Sequence, residues 1–357
     1  MRTEAFRQRL TAPIHPVAAR RILRLALGTS LCLLFSQVVA WPLSFIAPVL
    51  TLFILALPLP APKLKQGIVF VVALMAPMLG GVAMLPFLHH ARWTGIGLVA
   101  LALFYSFYYT ARGGNPVLGA FMTVGLTVTV TIGSVNIDIL IWLIQGMGVC
   151  AAVGIVFVWI AHALLPELPP DPALAGRKKP PPPPPPPERV AARSALRSML
   201  IVFPLALLFM FMSASPSYTV VMIKVASMGQ QASADKSRDM GRDLLASTLW
   251  GGLGAQIGWM LMGIWPSLVF YTLIVALAGL TYGRWIFQGP AVHPKFSMVS
   301  YAFLTMIVIL APAVIDDSGD ATTAFYTRMF LFIVIAVYGT AAVAVFDAFF
   351  PGKNKQD

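Results

Sequence analysis

The sequence predicts an all-α polytopic membrane protein of about twelve transmembrane helices, arranged as two parallel six-helix repeats. Three observations carry this expectation: the apolar composition, the spacing of the apolar runs and the placement of positive charge. Of 357 residues, 58% are hydrophobic and 11% charged, and the mean hydropathy is +0.82. A soluble domain of that size needs more polar surface to cover itself. Spanning helices of roughly 20 mostly apolar residues fit the balance, and twelve of them leave little chain for a soluble domain.

Apolar runs broken by turn residues and charges fall at 22–40, 43–58, 67–88, 94–110, 117–133 and 139–165, then at 198–213, 216–229, 244–264, 267–287, 297–315 and 325–350. The second and eighth are short for a straight span and read as broken or partly re-entrant helices, tolerated where protein or water shields the backbone. The first run follows a basic start, but a second apolar run comes at once with no polar domain between, so it reads as a helix and not as a cleaved leader. Cys32 and Cys150 both fall in apolar runs and make neither a disulfide framework nor a metal spacing.

A formal charge of +12 raises the question of nucleic acid. Its placement answers for a membrane instead. Arg20, Arg21 and Arg24, Lys63 and Lys65, Arg112, Arg189, Arg193 and Arg197, Arg284 and Lys295 all share one side if the helices alternate, whereas Arg92 and Arg328 share the other with Asp138, Asp316, Asp317 and Asp320. Lys and Arg accumulate in cytoplasmic loops, so both termini are expected in the cytoplasm.

The halves read as duplicated, with repeats at 1–166 and 198–357 joined by a cytoplasmic proline-rich linker at 167–197. Val17-Ala18-Ala19-Arg20 is echoed by Val190-Ala191-Ala192-Arg193, Trp41-Pro42 by Ser215-Pro216, Gly80-Gly81 by Gly251-Gly252, and Tyr109-Thr110-Ala111-Arg112 by Tyr282-Gly283-Arg284. Six is an even number of helices, so such repeats run parallel. The linker holds eight consecutive prolines, Pro180 to Pro187, a polyproline II spacer of about 25 Å. A proline-binding partner is the other reading of that run.

Lys224 is the sharpest candidate for chemistry, because an ionisable group inside a spanning segment is costly and is by default functional. One reading has its ammonium binding the carboxylate of an anionic substrate; the other has it snorkelling toward Gln230-Gln231. Pro48, in the corresponding stretch of the first half, removes a helical hydrogen bond and frees a carbonyl. The fifth helix places Gly119, Thr123, Thr127 and Thr131 along one face, to serve helix packing or to line a mildly polar path. Gln145 and Gln256 are isolated amides with the same two readings. Arg328 starts the last helix near the acidic loop, as an interfacial ion pair or an anion exit contact. His89 and His90 lack further ligands for a metal, and no metal or cofactor is expected. Nucleotide-binding and hydrolase signatures are absent from the sequence, so no enzyme is expected.

The stretch Ala19-Arg20-Arg21-Ile22-Leu23-Arg24-Leu25-Ala26-Leu27-Gly28, the Trp41-Pro42 turn into a short proline-bearing helix, Lys63 and Lys65, and the echo through Pro216–Gln231 together resemble the fusaric acid resistance protein-like superfamily, which includes aromatic acid exporters. More narrowly, the chain is similar to a compact, functionally undefined branch of it. The resemblance implies a bacterial inner-membrane efflux transporter for small organic, including aromatic, acids or related toxic compounds, embedded in membrane lipid. It also implies a periplasmic membrane-fusion adaptor and an outer-membrane channel as partners. A passive anion channel and an assembly scaffold without transport are the alternatives.

Overall fold

The computed structural model describes residues 14–41, 43–168, 185–211, 221–222, 224–226, 229, 240–288, 291–293, 295–315 and 321–349. Pro42, Pro180 to Pro184, Ser215-Pro216, Gln230-Gln231 and the acidic residues Asp316, Asp317 and Asp320 lie outside them. The first six helices are α1 (Pro16–Val39), α2 (Ile46–Leu55), α3 (Leu64–His90), α4 (Arg92–Ala111), α5 (Pro116–Gly133) and α6 (Ile137–Leu164). Then follow α7 (Glu188–Phe211), α8 (Met240–Met262), α9 (Leu268–Ile286), α10 (Phe296–Ile315) and α11 (Ala321–Phe349). Further helical residues, Val221, Met222, Lys224, Val225, Ala226 and Gly229, fall in the expected eighth segment.

Every apolar run of the sequence therefore meets a helix. Eight of these helices, α1, α3, α4, α6, α7, α9, α10 and α11, are long and apolar enough to cross a membrane. The protein is a multi-pass membrane protein. The ten residues of α2 rise only about 15 Å, half of a hydrocarbon core of roughly 30 Å.

Local chemistry sets the helix ends. The Asn136 side chain accepts from the backbone N–H groups of Asp138 and Ile139 at 2.8 and 3.0 Å, and Asp138 adds negative charge to the first turn of α6. Asn115 caps α5 in the same way through Val117, and Ser267 caps α9 through Phe270. Two departures from expectation are plain. Helix α7 starts at Glu188 and not at 198, because Arg189, Arg193 and Arg197 lie on a polar opening turn that no hydropathy run reveals. The described residues are also not wholly helical: Phe287–Gln288 pairs antiparallel with Ala291–Val292.

Packing runs across the chain as well as along it. Helix α1 lies against α9, and α4 against α7, so each half lends a helix to the other. Within the first half α3 packs on α5, and within the second α8 packs on α10. Glycines permit the closest approaches. A Cβ on Gly279 would sit 2.7 Å from Ala26 Cα. On α6, Gly154 lets α2 in, where the Thr51 hydroxyl reaches the Gly154 carbonyl at 3.2 Å. Cys150 accepts from Trp41 Nε1 at 3.1 Å, which fixes the turn into α2.

Arginine hydrogen bonds and ion pairs tie helix ends together. Arg24, 4% exposed, donates from Nε and Nη2 to the Leu165 carbonyl at 3.1 and 2.8 Å, and Arg20 donates to Pro166 at 2.8 Å. Arg193 and Arg197 each lie 3.5 Å from the Asp347 carboxylate. In both cases two arginines one turn apart on an earlier helix hold the far end of a later one, α6 for α1 and α11 for α7. Cations suit that end because the helix dipole is negative there.

Candidate functional site

Helix α10 is the most enclosed of the eight membrane-length helices, and its midpoint carries Thr305. Lys224 Nζ donates to Thr305 Oγ1 at 2.8 Å, and Thr305 in turn donates to the Tyr301 carbonyl at 2.7 Å. The lysine is 1% exposed, with its ammonium 5.9 Å from the centroid of Phe332 on α11, within the range of a cation–π contact. Thr305 lies at the tenth of the twenty residues of α10. The amine therefore points to the middle of a span and not toward a helix end, so it does not snorkel.

Gly251 on α8 makes this arrangement fit. A Cβ there would lie 2.5 Å from the Ala302 carbonyl oxygen and 2.6 Å from Thr305 Cβ. The first half contains the same joint: a Cβ on Gly81 of α3 would lie 2.8 Å from Thr129 Cβ and 3.6 Å from the Leu126 carbonyl oxygen of α5. The joints differ in one respect. The Thr305 hydroxyl accepts a lysine, whereas the buried Thr129 hydroxyl has no hydrogen-bond partner among the described residues.

The other sequence candidates are dispersed. Arg328, 8% exposed, is buried on α11, one turn from Phe332. Gln256 on α8 donates from Nε2 to the Tyr326 hydroxyl at 3.3 Å. Thr123 and Thr127 are buried in α5, with their hydroxyls donated to their own helix at Gly119 and Thr123. Pro48 is buried in α2, while Gln145 is exposed on α6. Lys224, Thr305 and Phe332 thus meet, and Pro48, Thr123, Thr127 and Gln145 lie in the other half. Sequence does not mark Thr305 or Phe332, since Thr305, unlike the threonine stripe of α5, stands alone on its face, and a phenylalanine in an apolar helix carries no signal of its own.

Among known proteins, residues 21–161 match the family described as "Protein of unknown function (DUF2955)". The matched residues begin in α1 and end in α6. Neither the curated proteins nor the solved structures give a match.

Proposed function

We propose that the protein is an inner-membrane exporter of small organic, including aromatic, acids or related toxic compounds, with Lys224 as the contact for the substrate anion. One observation carries it: a lysine amine at mid-span, hydrogen-bonded to Thr305 and facing an aromatic ring. Placing such a cation at the centre of a helix costs about 2.5–3.5 kcal/mol on insertion scales, and residues of this kind mark substrate and ion paths. An aromatic carboxylate matches both neighbours, its charge meeting the ammonium and its ring meeting Phe332.

In this scheme twelve spans form two parallel repeats, 1–166 and 198–357, with 167–197 between them and both termini in the cytoplasm. Support comes from the recurring joints: Gly81 with Thr129 and Gly251 with Thr305, and the arginine pairs 20/24 and 193/197 at the closing helix ends. The resemblance to aromatic acid exporters supplies the remainder, a periplasmic membrane-fusion adaptor and an outer-membrane channel. Only one repeat carries the lysine, so the path is functionally one-sided.

The test is flux. Lys224→Met should lower benzoate transport in membrane vesicles at least about ten-fold, a loss of about 1.4 kcal/mol, with membrane abundance and melting temperature unchanged. Lys224→Arg should retain part of it. Wild-type flux in Lys224→Met removes the lysine from the site. Anion conductance in planar bilayers with no dependence on an imposed gradient of a second ion favours the passive channel instead.

A further inference from the structure

Away from Lys224, the crevice between α3, α4 and α5 encloses about 620 Å³, inside the range of about 300–1,000 Å³ usual for small-molecule sites. Its walls include Ile68, Val72 and Gly80 of α3, Tyr105 of α4, and Leu118 and Leu126 of α5. Along α3 the crevice runs from Ile68 to Met84, about 24 Å, within a core of roughly 30 Å. It opens sideways, since Ile68 and Val72 are each 57% exposed. Its lower end lies by the first turn of α3, where Lys63 and Lys65 are exposed.

Gly80 is the glycine in the wall of this crevice. A Cβ there would meet nothing within 4 Å, so no neighbouring helix requires a glycine. Mid-helix glycine costs about 1 kcal/mol relative to alanine, and the protein's own packing gives no return for it. If Gly81 and Gly251 are equivalent, as their threonine contacts indicate, Gly80 corresponds to Trp250. The matching crevice among α8, α9 and α10 encloses only about 240 Å³, and Trp250 there meets the Trp285 ring edge-on at 5.3 Å. The second crevice is narrowed by the protein's own tryptophans; the first stays wide enough for an occupant.

We propose that the α3–α4–α5 crevice seats an acyl chain of an anionic phospholipid, whose headgroup meets Lys63 and Lys65. The apolar walls match hydrocarbon, and the sideways opening faces the bilayer that supplies the chain. The two lysines select for negative charge, at about 1 kcal/mol each. This inference is independent of what the protein transports.

The experiment uses the full chain in nanodiscs containing a phosphatidylglycerol probe with a diazirine at mid-chain. Photolysis should label the peptides covering 68–80 and 118–126. Gly80→Trp, which imports the residue of the other crevice, should cut that labelling several-fold while melting stays at the wild-type temperature. Gly97→Trp is the control, because a Cβ on Gly97 also meets open space but lies outside the crevice. Lys63→Gln with Lys65→Gln should reduce labelling by the phosphatidylglycerol probe and leave a phosphatidylcholine probe unaffected. Equal labelling of Gly80→Trp and wild type overturns the proposal. So does cross-linking of these peptides to a second copy of the chain in place of lipid.

Discussion

Gly279→Val should leave little folded protein in the membrane. The added Cβ meets Ala26 Cα at 2.7 Å, Ala26 Cβ at 3.0 Å and Ala26 N at 3.4 Å. Two of those atoms are backbone and cannot turn aside, so α9 and α1 must separate. Overpacking of this kind costs about 3 kcal/mol or more where backbone has to move. Loss of detergent-soluble monodisperse protein, followed by fluorescence-detected gel filtration, is the measurement. Gly279→Ala should be milder, and adding Ala26→Gly to it should recover part of the loss. Unimpaired Gly279→Val would mean that α1 and α9 do not touch in the membrane.

The second large effect concerns Gly251 and reaches Lys224 indirectly. In Gly251→Val the new side chain displaces the Ala302 carbonyl and Thr305, and with Thr305 goes the acceptor 2.8 Å from Lys224 Nζ. Stability should fall by about 1–3 kcal/mol. Flux per folded molecule should fall as well, toward that of Lys224→Met. The neighbouring glycine separates the two contributions: a Cβ on Gly252 meets only Met329 Cγ, at 3.9 Å, so Gly252→Ala should melt and transport as wild type does. If both variants behave alike, the Gly251–Thr305 joint does not hold the lysine.

The contrast between Gly251 and Gly252 also marks the limit of what the sequence makes legible. The doublets Gly80-Gly81 and Gly251-Gly252 are visible as an echo, but not which glycine of each bears the load. Packing matches Gly81 with Gly251, one position away from the doublet alignment, and only then does Trp250 face Gly80. Hydropathy located the helices because burial in lipid imposes it on every turn. It missed the opening turns of α7, whose arginines point to a helix end instead of lipid, and the ribbon after α9, which is too short to show a period. Lys224 stood out because a charge in an apolar run is rare. Its partner Thr305 lies 81 residues on, and such pairing is a property of the fold alone. In sequence Arg24 is one member of a basic cluster, yet it is buried against Leu165; composition cannot tell a solvated arginine from one that closes a helix end.

The exchange of helices between halves bears on how the chain is made. Helix α1 enters the bilayer with its Ile22 and Ala26 stripe uncovered, and that stripe waits for Gly279 and Gly283 of α9. Helix α4 waits likewise for α7. During synthesis lipid is a placeholder on both faces, and neither can close until translation has passed the proline-rich segment. A ribosome that stalls there leaves two unmatched helices in the membrane, a substrate for quality control and not half a working protein.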